Sequence, residues 1–252
     1  MRIQVKAGLA FFCMLAVSAA ADSRNWVELF STDWSHGVDK RIQYQMPRKD
    51  SIGVVDAPQE MGGKALKVTI SKNDDYSAVA NGAPRAELSF NGFLHFSQGK
   101  EYVLSWQTYM PAGYTLDRGQ AEVVFQIHQG PAAGYPPFAI FLSEGGQYEV
   151  HNRTQSKADW VSAFFGRVES DRGRVVNWQL HYIPDGSGAR AVTELTKDGQ
   201  LVFATKGVPN AYEDDDRAYL KLGLYKADWL KKSSEVDTRT MYYGGVSVKV
   251  RD

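Results

Sequence analysis

From residue 65 onward the chain consists of short alternating segments, each closed by Gly, Asn, Asp or Pro, and few architectures accept such a pattern. Residues 65–70 (A-L-K-V-T-I) follow the turn Gly62-Gly63, and residues 102–110 are stopped by Pro111. Segments 122–128, 138–142, 148–153, 177–183, 201–205, 219–225 and 242–250 continue the series. A strand sends successive side chains to opposite faces, so each segment can give one apolar face to a core. Repeated short strands with turn signals and aromatic enrichment predict an all-β sandwich. No long stretch has helical periodicity, and short helices are expected only in the more polar stretch 157–165. Without a repeat, linker or low-complexity tract, residues 22–252 are expected to form one domain.

Residues 1–21 place Arg2 and Lys6 before an apolar run that ends in small residues. That is the layout of a secretory signal peptide cleaved after Ala20 or Ala21, and the run is shorter than the ~20 residues a spanning helix needs. The expectation is an exported protein, secreted or periplasmic, with no membrane association after cleavage. The one cysteine, Cys13, lies in this segment, so residues 22–252 hold no disulfide, thiolate nucleophile or cysteine metal site. The sequence carries 29 basic and 29 acidic residues; without Arg2 and Lys6 the count is 27 against 29, a net charge of −2. Global charge therefore gives no pull toward nucleic acid or a lipid surface, and affinity for a polyanion must come from a local cluster.

Such a cluster is suggested by residues 219–225, Y-L-K-L-G-L-Y, whose alternation has no exception. Leu220, Leu222 and Leu224 share one face; Tyr219, Lys221, Gly223 and Tyr225 share the other. In 123–128 (V-V-F-Q-I-H), Val123, Phe125 and Ile127 are assigned to the core, leaving Val124, Gln126 and His128 opposite. In 85–90 (R-A-E-L-S-F), Arg85, Glu87 and Ser89 oppose Ala86, Leu88 and Phe90. Glu149, His151 and Arg153 repeat the pattern more weakly. Taken singly, each is an ordinary surface ion pair or structural hydrogen-bonder; together they are a set of donors on non-core faces.

Several chemistries lack their starting residues. There is no G-x-S-x-G elbow, no H-E-x-x-H and no E-x-D-x-E strand of two carboxylates for glycoside hydrolysis. β-Elimination of a uronic acid polymer does ask for this set. It removes the C5 proton beside a carboxylate and expels O4, so donors must neutralise a developing dianion. A histidine or tyrosinate can take the proton, and a tyrosine hydroxyl can give one to O4. Lys221 beside Tyr225 is expected to lower the phenol's pKa. The acidic run 213–216 (E-D-D-D) reads as a solvated loop or as an oxygen-ligand site for a structural Ca2+, and it matches no EF-hand spacing.

The order R-A-E-L, then Q-I-H, then Y-L-K-L-G-L-Y resembles the jelly-roll polysaccharide lyases, a group that includes alginate lyases, glucuronan lyases and heparin lyase I. The surroundings are similar to the glucuronan and heparin lyase I side, as in Q-I-H-Q-G-P at 126–131 and Y-Y-G-G-V-S-V at 242–248. The resemblance implies a β-jelly roll, a concanavalin-like sandwich of two antiparallel sheets, with the site in a groove on the concave sheet. It implies Gln126 as carboxylate neutraliser and His128 as general base or neutraliser. It implies Tyr225 as general acid, and also as base where C5–H and O4 lie on one face, with Lys221 and Arg85 binding the acidic sugar. Glu87, Arg153, Tyr219, Tyr135 and Lys226 complete the candidate substrate-binding set, and Trp160, Tyr135 and Trp229 are candidate sugar platforms. Alginate lyases usually carry Ser or Thr in the first motif and often Asn or Gln after the last, where this chain has Ala86 and Lys226. Glucuronan-like or heparin-like glycans are therefore the favoured substrates, with alginate as the alternative polymer.

The expectation is a lyase acting on an anionic polysaccharide, as a monomer, without nucleic acid and without a required cofactor. Rival readings are a carbohydrate-binding jelly roll without chemistry, a glycoside hydrolase using Glu87 and Glu149, and a structural protein of the envelope.

Overall fold

The computed structural model describes residues 25–130 and 134–252; the expected signal peptide lies outside the described residues. In chain order the strands are β1 (Val27–Thr32), β2 (Gln43–Gln45), β3 (Ile52–Asp56), β4 (Lys64–Ser71), β5 (Arg85–Ser89), β6 (His95–Phe96), β7 (Glu101–Tyr109) and β8 (Glu122–His128). There follow β9 (Phe138–Leu142), β10 (Tyr148–Asn152), β11 (Val161–Phe165), β12 (Val175–Ile183), β13 (Val192–Lys197), β14 (Gln200–Lys206), β15 (Ala218–Tyr225) and β16 (Thr238–Arg251).

These strands form two eight-stranded antiparallel sheets. The back sheet has the order β14-β13-β12-β7-β16-β4-β3, with β1 also on β16; the front sheet has β11-β10-β9-β8-β15-β5-β2, with β6 on β15. This is the expected β-jelly-roll sandwich. The alternation produces it directly: Leu66, Val68 and Ile70 of β4 and Leu220, Leu222 and Leu224 of β15 are all fully buried between the sheets. Each such burial stabilises by roughly 1.5–3 kcal/mol. At the centre, Trp106 of the back sheet stacks on Phe125 of the front sheet, with ring centroids 3.9 Å apart. The β13–β14 hairpin closes on Asp198-Gly199 with φ of 50° and 79°. Two left-handed residues there match the twist of the paired strands.

Two readings of the sequence change. Within 157–165 only Lys157–Asp159 is helical, a 3-10 turn; Val161–Phe165 is the edge strand β11. Its V-S-A-F-F alternation packs Val161, Ala163 and Phe165 against the core. Strands β1, β2, β3, β6 and β13 also escaped the sequence reading; in β2 and β6, 3 and 2 residues are too few to show a period. The acidic run 213–216 fastens loops. Asp215 accepts the backbone N–H groups of Gly130 and Arg217 at 2.7 and 2.9 Å, and Asp216 accepts that of Gln98 at 2.8 Å. Among the described residues, no group of three or more His, Cys, Asp or Glu side chains is arranged to hold a metal ion.

Candidate active site

The three donor-bearing segments are neighbours in the middle of the front sheet, in the order β8-β15-β5. Arg85 lies opposite Tyr225, Glu87 opposite Gly223 and Ser89 opposite Lys221. On the other side of β15, Gln126 lies opposite Lys221 and His128 opposite Tyr219. Ala86, Leu88, Phe125, Ile127 and the three leucines of β15 fill the core, so their alternates share the open face of the sheet.

The centre of that face is the carboxylate of Glu87, only 1% exposed. Its Oε2 accepts Lys221 Nζ at 2.5 Å and Arg85 Nη1 at 3.3 Å, and its Oε1 accepts Gln126 Nε2 at 2.5 Å. Burial pushes the Glu87 pKa up, but Lys221 and Arg85 outweigh it and hold the carboxyl below its ordinary value. Burial likewise pulls the Lys221 pKa down, opposed by Glu87. Two cations and one anion leave the cluster with a single net positive charge. Glu87, placed by the sequence among the substrate-binding candidates, has its hydrogen-bond partners in three protein donors, Lys221, Arg85 and Gln126. A carboxyl held ionised in this way is also unsuited to the acid role of a glycosidase.

His128 and Tyr225 both feel the charges of Arg85 and Glu87. The Nδ1 of His128 lies 2.8 Å from the carbonyl oxygen of Gln129. Nδ1 is thus the donor, and Nε2 keeps its lone pair. Burial, with Lys221 and Arg85, pushes the imidazole pKa below 6.5. Tyr225 sits beside a different cation from the one expected. The guanidinium of Arg85 lies 4.1 Å above its ring, while Lys221 is directed at Glu87. Burial raises the phenol above 10.0 despite Arg85, so the predicted lowering by Lys221 does not occur.

A pair of β-bulges shapes the site. Between Leu222 and Tyr225, β15 gains a residue on β8, and between Val123 and Phe125, β8 gains one on β9. The second bulge reverses the predicted parity at one place: Val124 joins the core cluster, and Val123, paired with Tyr225 and Phe141, does not. Gly223 has φ +147°, and a Cβ there would meet the carbonyl oxygen of Ala86 and come within 2.7 Å of the Cα of Glu87. Only glycine admits this approach.

Other predicted residues separate. Tyr219 lies on the open face with its ring centroid 5.2 Å from that of His128. Arg153, Tyr135 and Trp160 gather at one end of β10, where Tyr135 and Trp160 meet edge to face at 4.9 Å. Lys226 does not reach the site. It is fully buried, 2.9 Å from Asp117, so its assignment to substrate binding is corrected to a structural ion pair. Trp229 is also fully buried, donating from Nε1 to Ser234 and Val236, and is no sugar platform. Phe164 was missed. It is 57% exposed on β11 opposite Glu149, and the alternation of V-S-A-F-F would have revealed it had the segment been read as a strand. A cleft of about 530 Å3 on the back sheet, lined by Ser105, Gln107, Asn177, Gln179 and Ser247 among others, has no titratable side chain in its wall and cannot host acid–base chemistry.

A family model described as polysaccharide lyase matches residues 30–247. Among solved structures, the chain is similar to an endo-β-1,4-glucuronan lyase from the fungus Trichoderma reesei, with 16% identity and a TM-score of 0.70, covering 88% of this chain and 95% of that one. It is also similar to alginate lyase A1-II′ of polysaccharide lyase family 7, with 17% identity and a TM-score of 0.54 over 84% and 95% of the two chains. At such identities the likeness is one of fold. No curated protein sequence matches the chain.

Proposed function

This chain belongs to the polysaccharide lyase family, and we propose that it cleaves a uronic-acid-containing polysaccharide by β-elimination, leaving 4,5-unsaturated uronate ends. A glucuronan-like or heparin-like polymer is the favoured substrate. The observation that carries this reading is the cluster of donors around Glu87, flanked by a neutral histidine and a protonated phenol.

In this reading the sugar carboxylate sits over Gln126 and Arg85. Gln126 gives one amide hydrogen to Glu87, which leaves the other for the substrate. The cluster's net positive charge opposes the dianion that forms as C5 loses its proton. Burial holds the Tyr225 phenol protonated, so His128 rather than Tyr225 takes that proton at Nε2, including in glucuronate where C5–H and O4 lie on one face, and the imidazolium is stabilised through Nδ1 by the Gln129 carbonyl. Tyr225 gives its phenolic proton to O4 as the C4–O4 bond breaks. Lys221 acts through Glu87 rather than on the sugar. The protein works as an exported monomer, and the chemistry calls on no organic cofactor.

The test is ultraviolet absorbance of the unsaturated uronate, with purified protein on glucuronan, alginate, heparin, heparan sulfate and hyaluronan. A rise on glucuronan or heparin is expected. New reducing ends without absorbance would replace elimination by hydrolysis, and tight binding without any product would replace the enzyme by a lectin.

A further inference from the structure

Among the described residues, five cationic side chains are at least nine-tenths buried: Arg85, Arg153, Lys221, Lys226 and Arg239. Four have a carboxylate partner, namely Glu87 for Arg85 and Lys221, Asp117 for Lys226 and Glu122 for Arg239. Arg153, 6% exposed, has none, and its buried Nε has no hydrogen-bond partner. Its guanidinium lies 5.0 Å from the ring of Trp160, 5.4 Å from Tyr135 and 5.5 Å from Phe141. Lys157 adds a second cation, 5.7 and 5.9 Å from the rings of Trp160 and Tyr135. The nearby carboxylate of Glu149 is held by His151 Nε2 at 2.6 Å.

An arginine cannot shed its proton to relieve burial. Contacts with aromatic faces return less than burying an unpaired ion costs. Glu149 acts on Arg153 only through space, without an ion-pair contact, so the guanidinium is left to pair with an anion from outside the chain. The sheet register shows where it would enter. Ile127 pairs with Phe138 and Phe138 with Asn152, and Arg153 N–H donates to the Pro137 carbonyl at 2.7 Å. His128, Pro137 and Arg153 therefore occupy one row across β8, β9 and the end of β10, with Arg153 two strand spacings, about 10 Å, from His128.

We propose that Arg153, rimmed by Tyr135 and Trp160, is a distal subsite for a second anionic group of the same polysaccharide, a uronate carboxylate or a sulfate ester. The proposal rests on the reading of the protein as a lyase of anionic polysaccharides and adds to it. Substrate is gripped at two charges, one over the reacting sugar and one further along the chain. Tyr135, half-exposed, offers its face to the intervening ring.

The test uses Tyr225→Phe protein, which blocks turnover, with oligoglucuronates of increasing length and a parallel series of sulfated heparin oligosaccharides, measured by calorimetry. Affinity should rise in a step when the oligomer is long enough to reach Arg153. Adding Arg153→Gln should remove that step, about tenfold or more in Kd, and Arg153→Lys should restore part of it. The series that shows the step identifies carboxylate or sulfate. A step unchanged in Arg153→Gln, or a loss equal at every length, would overturn the subsite while leaving the lyase reading intact. Failure of the Tyr225→Phe protein to bind any oligomer, with no unsaturated product from the wild type, would overturn the lyase reading itself. Thermal melts identify a variant that has lost its fold, and Arg153→Lys then serves as the comparison.

Discussion

His128 gives up its proton more readily than an exposed histidine because burial and the cations of Lys221 and Arg85 disfavour the charged ring. Tyr225 holds its proton more firmly than a free phenol because burial disfavours the phenolate. In the proposed mechanism the active combination is neutral His128 with protonated Tyr225. His128 is neutral above its folded pKa, so the acid limb of kcat/KM should lie below pH 6.5, and Tyr225 is protonated below its own, so the alkaline limb should lie above pH 10.0. Tyr225→Phe should fold normally, lose roughly 10²–10⁴-fold in kcat/KM and lose the alkaline limb. A variant with near wild-type turnover would remove Tyr225 from the mechanism. At this scale the sequence was informative about faces and poor about partners. Alternation alone put Arg85, Gln126, His128, Lys221 and Tyr225 on one side of the sheet. It could not say that Lys221 answers to Glu87, because that pair is separated by 134 positions along the chain.

β15 carries the site, and its one unusual residue is Gly223. The strand keeps regular register with β5 through Gly223 and Glu87, while the bulge beside it alters the register with β8. Glycine lets the backbone adopt a positive φ and lets Glu87 lie close over the strand. Gly223→Ala should cost at least about 1–3 kcal/mol from backbone strain alone, with the overlap on Ala86 and Glu87 added. Activity per folded molecule should fall as well, because Glu87 and its three donors must move. Urea unfolding and an elimination assay check both, and a variant with wild-type stability would show that the approach is not tight. The glycine was visible in Y-L-K-L-G-L-Y, but the bulge was not. A bulge is a mismatch between two strands, and neither strand records it alone.

Across the whole molecule, the sheets are joined at the point where the front sheet is irregular. Tyr243 of β16 reaches through the core, and its hydroxyl lies 2.8 Å from the carbonyl oxygens of both Val124 and Gly223. These are bulge carbonyls, so a back-sheet side chain supplies the donor near the places where the front ladder is broken. Tyr243→Phe would leave both carbonyls buried without it and should cost about 1–3 kcal/mol. It should also lower kcat, since the bulges frame Gln126 and Tyr225. Urea unfolding together with steady-state kinetics measures this, and an unchanged stability would mean that the two carbonyls do not depend on the joint. Arg239 reinforces the same connection by pairing with Glu122 of β8 at 2.6 Å.

The sequence by itself determined the sandwich, the principal strands and the open-face position of the donor residues. All of these follow from a period of two, which is written locally in each segment. Tertiary structure decided which charges neutralise one another, why Lys226 and Trp229 are buried, where Val123 and Val124 exchange faces, and that Arg153 is left without a carboxylate in ion-pair contact. Each of these depends on segments far apart in the chain meeting within a few ångströms. Charge pairing and bulge register are properties of that meeting, and no single stretch of residues contains them.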